Sequence, residues 1–293
     1  MTVQGAFLLF DGARPGARLA RLYRQPRREI VAHHVWQVPE ALDQLQQATS
    51  DGAHAAGFLA YEAGYALDPT LAPAAREGDG RLLWFGLFDG FEEVDAAEWL
   101  PDAAGARASA PEPRVSETDY LATAAEIREH LFAGDFYQAN LTFSCDLRIA
   151  GDPLALYARL RGAARAGWGG VVRHPNGWLL SLSPEQFFTI RGDVIEARPM
   201  KGTAPPHSPP EVLTEDEKSR AENLMIVDLL RNDLARVAVP GTVEVPELFA
   251  VERYPTVLQM VSRVRARLAP NSDAIDVLRT IFPCGSVTGA PKI

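Results

Sequence analysis

The sequence predicts an α/β (α+β) fold of mixed layers, and three observations lead there. Short apolar runs of strand length recur between turn residues: residues 6–10 end at Asp11-Gly12, and residues 57–61 and 82–88 are similar. Between them lies a helical pattern over residues 39–48, with Ala41, Leu42, Leu45 and Ala48 on one face. A chain of 293 residues that is 47% hydrophobic can also bury a sizeable core. Several strands alternating with few helices give mixed layers.

Taken in order, residues 1–100 read as an N-terminal lobe of strands and helices. Residues 101–117 shift to Ala, Pro, Ser and charge, the composition of an exposed linker, and residues 118–293 form a second region. Ser116 and Asp119 bracket the start of a helix whose apolar stripe is Leu121, Ala124, Ala125, Ile127, Leu131 and Phe132, with Gly134 as its stop. Strands are expected over residues 137–149, 169–173, 178–182 and 187–190. Thr214 and Glu217 have capping-box spacing and open a long helix through about Asp233. A strand over 256–268 and a helix over 273–282 lead into the glycine-rich stretch from Gly285 to Lys292.

With 38 acidic against 29 basic residues the net charge is -9, which disfavours nucleic acid or an anionic membrane as partner. A small anionic substrate would need a local positive site. The two cysteines, Cys145 and Cys284, lie far apart and in no metal-ligand spacing, as suits a reducing compartment. Six histidines show no His-x-x-x-His arrangement and read as surface or packing residues. The start lacks the basic region of a signal peptide, and no apolar run reaches the ~18 residues of a membrane span, so a cytoplasmic location is expected.

One stretch stands apart, Pro199-Met200-Lys201-Gly202-Thr203. Pro199 removes a backbone donor and Gly202 permits a positive φ, so the sequence reads as a strand end running into a turn that presents Lys201. An isolated lysine in such a loop is usually solvated. To act as a nucleophile it would need its amine neutral, a depression of roughly three units from about 10.4, or about 4 kcal/mol from burial or neighbouring cations.

Five blocks in order settle on one resemblance. They are Gly134 to Thr142, Ser183-Pro184-Glu185-Gln186-Phe187, the Pro-Met-Lys-Gly-Thr loop, Ala221 to Leu234, and Phe282 to Lys292. Together they resemble the chorismate-utilising enzymes, and among these the component I branch of the aminodeoxychorismate synthases. The resemblance spans most of the chain and is weakest in its first hundred or so residues. It implies the family's two-sheet core wrapped by helices, here C-terminally truncated, because Ile293 falls inside a motif and a further portion of the enzyme is expected to follow.

The resemblance also implies roles. Lys201 would attack C2 of chorismate while the C4 hydroxyl leaves, and ammonia would then displace the enzyme by attack at C4; anthranilate synthases carry alanine at this point. Glu185 would be the acid that protonates the leaving hydroxyl, a task for a partly buried carboxyl, although a lone glutamate after proline is more often a surface cap. Gln138 sits where isochorismate and salicylate synthases have a water-activating lysine, and glutamine cannot act as a base. Glu222 would bind Mg²⁺, the implied cofactor; its bland reading is a solvated pair with Lys218. Ser219 occupies a place often acidic in relatives. Ser286, Thr288, Gly289 and Ala290, with Gly202 and Thr203, would hold substrate carboxylate.

Other chemistries fail on pattern. Gly285 to Lys292 is not a nucleotide loop, because Ala290 and Pro291 separate Gly289 from Lys292 and no hydroxyl follows. No nucleophile elbow for glutamine hydrolysis is present, so ammonia must come from solution or from a glutamine amidotransferase partner. A tryptophan-sensing Leu-Leu-Glu-Ser pattern is replaced by Leu8-Leu9-Phe10-Asp11. Two alternatives stay open at this point: component I of an anthranilate synthase, and a chain that binds chorismate or the amidotransferase without turnover.

Overall fold

Antiparallel pairing dominates the architecture. The structure, a computed structural model, describes residues 5–75 and 80–292. One five-stranded sheet has the order Gly177–Ser183, Trp168–His174, Phe7–Asp11, Ala20–Arg24, Glu92–Val94. It takes three strands from residues 7–94 and two from residues 168–183. A second sheet places Gln186–Arg191 beside Val194–Arg198, which pairs with Leu258–Arg267. Met200–Ala204 and Glu244–Arg253 also pair with Leu258–Arg267. A three-stranded sheet joins Arg28–Ala32, Leu83–Phe88 and His54–Leu59. The expected mixed α/β layering is therefore present.

Strand Phe7–Asp11 is apolar from Phe7 to Phe10 because both its faces are covered. Phe7 and Leu9 pack with Leu154 and Tyr157 of the helix Pro153–Ala164. Leu8 faces the other way, into Trp84, Phe88 and Ala56 of the three-stranded sheet. On the far side of that sheet, Leu42 and Leu45 of the helix Val38–Ser50 close the layer.

The second sheet is covered by the helix Glu217–Ala235, whose Ile226, Val227, Leu230 and Leu234 meet Ile195, Ala197, Val264 and Ala266. Its cap is not the expected one. Thr214 ends a separate short helix, Glu211–Thr214, and Asp216 accepts from the Ser219 N–H instead. The spacing pointed to Thr214, but the carboxylate nearer the first turn is the better acceptor for an orphan N–H.

Two further expectations change. Residues 137–149 do not form one strand; Gln138–Ala139 and Cys145–Asp146 each pair with a two-residue partner, and Ile149 opens a separate strand, Ile149–Gly151, paired with Ala106–Ala108. The helix Glu117–Ala133 starts at Ser116 and stops at Gly134, φ 84°, as read, yet none of its described residues is buried. Leu121 and Phe132 of its stripe are exposed, as are Tyr137 and Phe143 just beyond it.

A pH response follows from the contact between the first and third sheets. Arg81 Nη1 donates to His174 Nδ1 at 2.5 Å, with Phe58 and Trp84 against the imidazole and Glu29 accepting from the Trp84 indole. Burial, then the Arg81 charge, hold the His174 pKa below its ordinary value, with Glu29 opposing. The unfolded chain therefore takes up a proton before the folded one does, and stability should fall as pH drops below about 6.5. Thermal melts across that range should show this slope, and His174→Gln should flatten it; an equal slope in both proteins would remove the assignment.

Candidate active site

Lys201 is not in a turn. The strand resumes after Pro199, because the Pro199 carbonyl accepts from the Ser262 N–H at 3.1 Å and keeps the ladder going without the missing donor. The register then slips between Met200, opposite Val261, and Thr203, opposite Gln259. Gly202, at φ +92°, absorbs the extra residue, so Lys201 stands on a β-bulge inside a sheet. A Cβ on Gly202 would also lie 2.9 Å from that of Ser219, which fixes how closely the helix Glu217–Ala235 approaches.

That approach is held by a polar network the sequence did not single out. Asn223 is fully buried; its amide nitrogen donates to the carbonyls of Lys201 and Met260 at 3.4 and 3.5 Å. Its oxygen accepts from the Ser262 hydroxyl at 2.5 Å. An asparagine on a stripe that otherwise reads Ile226, Val227, Leu230 was the available signal, since a buried amide needs partners.

The Lys201 amine donates to the Ser286 carbonyl at 2.9 Å. Glu185 joins them from the end of the strand Gly177–Ser183, where the Ser183 hydroxyl accepts from the Glu185 N–H at 3.1 Å and donates to its carbonyl at 3.0 Å. Burial pushes the Glu185 carboxyl pKa up; a hydrogen bond with the Ser286 side chain, the Lys201 charge and the Met200 N–H pull it back only in part. A cavity of about 1180 Å³ between the two large sheets has Glu185, Phe10, Phe188, Met200 and Tyr254 among its walls, but Lys201 and Ser286 do not line it.

The loop that brings Ser286 follows the helix Ala274–Ile281, capped by Asp273. Within it the Val287 and Thr288 N–H groups and the Thr288 hydroxyl all donate to the Cys284 carbonyl, which curls the chain. The Cys284 thiol lies 3.2 Å from the Ser286 hydroxyl, and burial raises its pKa. Gly289 and Ala290 pair with Ala139 and Gln138. The Gln138 carboxamide oxygen is buried with no partner among the described residues.

Gly289 tolerates no side chain, because a Cβ there would sit 2.3 Å from the Gln138 carbonyl oxygen. Gly289→Ala should cost about 1–3 kcal/mol and part the two strands. A denaturation midpoint equal to the wild type would show that the pairing does not constrain the loop.

Lys201 and Glu185 thus each bond to Ser286, the amine to its carbonyl and the carboxyl to its side chain, and Gln138, Gly289 and Ala290 share the adjoining ladder. Thr203 is exposed in its ladder position. Glu222, part-exposed, has Lys218 at 3.9 Å, the solvated pair of the bland reading. Among the described residues no three His, Cys, Asp or Glu cluster as a metal cage. The Glu222 carboxylate still fits Mg²⁺ as one ligand, since that ion takes one or two protein carboxylates and completes its shell with water and substrate oxygens. Both cysteines are free, and among the described residues no helix is long and apolar enough to cross a membrane.

Comparison with known proteins shows the family. The chain is 45% identical over 192 residues to aminodeoxychorismate synthase component 1 of Klebsiella aerogenes, covering 63% of this chain and 43% of that protein. It is 39% identical over 191 residues to anthranilate synthase component 1 of Streptomyces coelicolor, covering 61% and 37%. The fold matches that of anthranilate synthase component I from Streptococcus pneumoniae with a TM-score of 0.71 at 18% identity, over 100% of this chain and 76% of that one. The chain spans less than half the length of these curated relatives. The model of the chorismate binding enzyme family matches residues 6–293, and the chain belongs to that family.

Proposed function

We propose that the chain carries the chorismate-binding residues of an enzyme that aminates chorismate at C4, giving 4-amino-4-deoxychorismate for p-aminobenzoate and folate synthesis. A glutamine amidotransferase subunit would supply the ammonia. One observation carries this reading: the Lys201 amine rests on the Ser286 carbonyl at 2.9 Å beside the Glu185 carboxyl. Nucleophile and proton donor are held by the same loop residue.

The chemistry balances with these groups. The neutral Lys201 amine adds at C2, the ring double bond shifts, and the C4–O bond breaks as Glu185 gives its proton to the departing hydroxide, forming water. Ammonia adds at C4, the electron pair shifts back, and the C2–N bond breaks to free Lys201. The new ammonium returns a proton to Glu185. Gly289, Ala290 and Thr288 would hold substrate carboxylate, the Thr288 hydroxyl turning away from the Cys284 carbonyl to do so, and Gln138 offers an acceptor but no base. Mg²⁺, held through Glu222, would neutralise the ring carboxylate.

The lysine supports amination at C4 over the anthranilate alternative. Incubating the full-length protein with chorismate, Mg²⁺ and ammonium and separating the products tests this. The expected product is 4-amino-4-deoxychorismate; fluorescent anthranilate formed with no lyase present would overturn the reading. A cytoplasmic setting belongs to the same proposal and is supported by the two free thiols. A second reading, chorismate binding by residues 1–293 without turnover, draws support from the helix Glu117–Ala133, whose stripe is uncovered. Calorimetry showing binding with no product would favour it.

A further inference from the structure

The chain holds 26 arginines and only three lysines, Lys201, Lys218 and Lys292. Basic side chains on its surface are nearly all arginine, so each lysine invites a reason. Lys201 is the candidate nucleophile, and Lys218 pairs with Glu222 in the open. Lys292 is different: its side chain is 10% exposed and its partner Asp233 11%.

Lys292 Nζ donates to Asp233 Oδ2 at 2.9 Å, to the Ile281 carbonyl at 2.9 Å and to the Thr280 carbonyl at 3.4 Å. These acceptors belong to the last turns of two helices, Glu217–Ala235 and Ala274–Ile281. The negative ends of both helix dipoles and one carboxylate thus converge on one ammonium. Between Ile281 and Lys292 the chain has only one short course, and that course is the loop carrying Ser286. Its other backbone bonds run to residues 137–140, such as Tyr137 N–H to the Ala290 carbonyl at 2.7 Å, while Ser286 meets Lys201 and Glu185 and Gly285 packs on Leu229. The ion pair therefore anchors the loop to the packed core.

We infer that Asp233 and Lys292 are positioning residues: their ion pair fixes the loop so that the Ser286 carbonyl holds the Lys201 amine in place. This rests on the functional reading only in its consequence for turnover; the fixing of Lys201 stands apart from it. Neither group touches the reacting atoms. Their influence passes through the backbone of residues 283–291.

Having only three lysines makes the test direct. The protein is treated with an amine-selective acylating reagent, and modification at each of the three lysines is timed by peptide mass. Lys218, 84% exposed at its side chain, is the internal standard. The Lys201 rate is expressed relative to that of Lys218 in the same sample. Asp233→Asn and Lys292→Met should raise the Lys201 rate about tenfold, while Lys292→Arg, which keeps the charge against Asp233, should stay within about twofold of wild type. Asn keeps an acceptor for Lys292, so Asp233→Asn is expected to fold. An unchanged Lys201 rate in both Asp233→Asn and Lys292→Met would overturn the inference. If those two unfold, Lys292→Arg decides: protection of Lys201 supports the inference, and exposure of Lys201 in a folded Lys292→Arg protein defeats it. Steady-state kinetics give the second readout, kcat falling about tenfold with KM little changed in Asp233→Asn. Absence of chorismate turnover in the wild type would sink the functional reading and leave the labelling result intact.

Discussion

Lys201→Ala in the full-length protein should lower formation of 4-amino-4-deoxychorismate by about three orders of magnitude or more, the scale on which removal of a nucleophile acts. Chorismate binding should survive, because the Ser286 loop, Gln138 and Glu222 are untouched. Residual activity should shift toward slow direct amination at C2, since without an enzyme substituent at that carbon ammonia can reach it. The bulge gives the result its specificity. Gly202 and the Asn223 amide hold the backbone at residue 201 whatever the side chain, so alanine there removes an amine without moving the strand. High-performance separation of products from both proteins, with chorismate affinity measured alongside, checks the expectation; unchanged turnover would remove the covalent route.

Glu185→Gln carries the second large effect, and it has two opposite signs. Turnover should fall about 10²- to 10⁴-fold, because an amide cannot protonate a departing hydroxide. Stability at neutral pH should rise. The folded carboxyl pKa lies above its ordinary 4.5, chiefly through burial, so the folded state holds a proton that the unfolded state has released as pH climbs from about 4.5 toward the raised value. Stability is lost across that interval, and a neutral glutamine avoids the loss. Thermal melts at pH 4 and pH 7 should show the variant gaining at pH 7 only. A variant no more stable than wild type at neutral pH would mean that the carboxyl is solvated and unsuited to the acid's role.

The elements that were legible from residues alone are those whose signal is local. Residues 7–10 are apolar on both faces, the helix Val38–Ser50 buries the stripe its spacing announced, and Ser116 and Gly134 cap where expected. The strand Glu244–Arg253 was missed because Pro246 and four acidic or basic side chains suit an edge, where one side of the ladder faces outward and the apolar alternation fades. The helix Pro153–Ala164 was also missed, its Arg159, Arg161 and Gly162 masking the buried Leu154 to Tyr157 turn. Periodicity marked the stripe of Glu117–Ala133 but could not say what covers it.

The site divides in the same way. Lys201, Glu185 and Ser286 were found through a family resemblance, and the structure then joined them. Asn223 with Ser262 and Asp233 with Lys292 were not found, because each pair meets only when the second sheet, the long helix and the terminal loop are assembled. Their types gave a hint without a partner: a polar residue on an apolar stripe needs satisfaction from somewhere, and only tertiary structure says where.

The central claim, an amine at residue 201 that bonds to the substrate ring, can be read directly. Full-length protein mixed with chorismate and Mg²⁺, without ammonia, is quenched in acid, digested, and the peptide containing Lys201 is weighed. The account expects a fraction of that peptide to carry the mass of chorismate less one water, lost when ammonia is added before the quench. An unmodified Lys201 peptide throughout, in a preparation that forms 4-amino-4-deoxychorismate once ammonia is supplied, would contradict it.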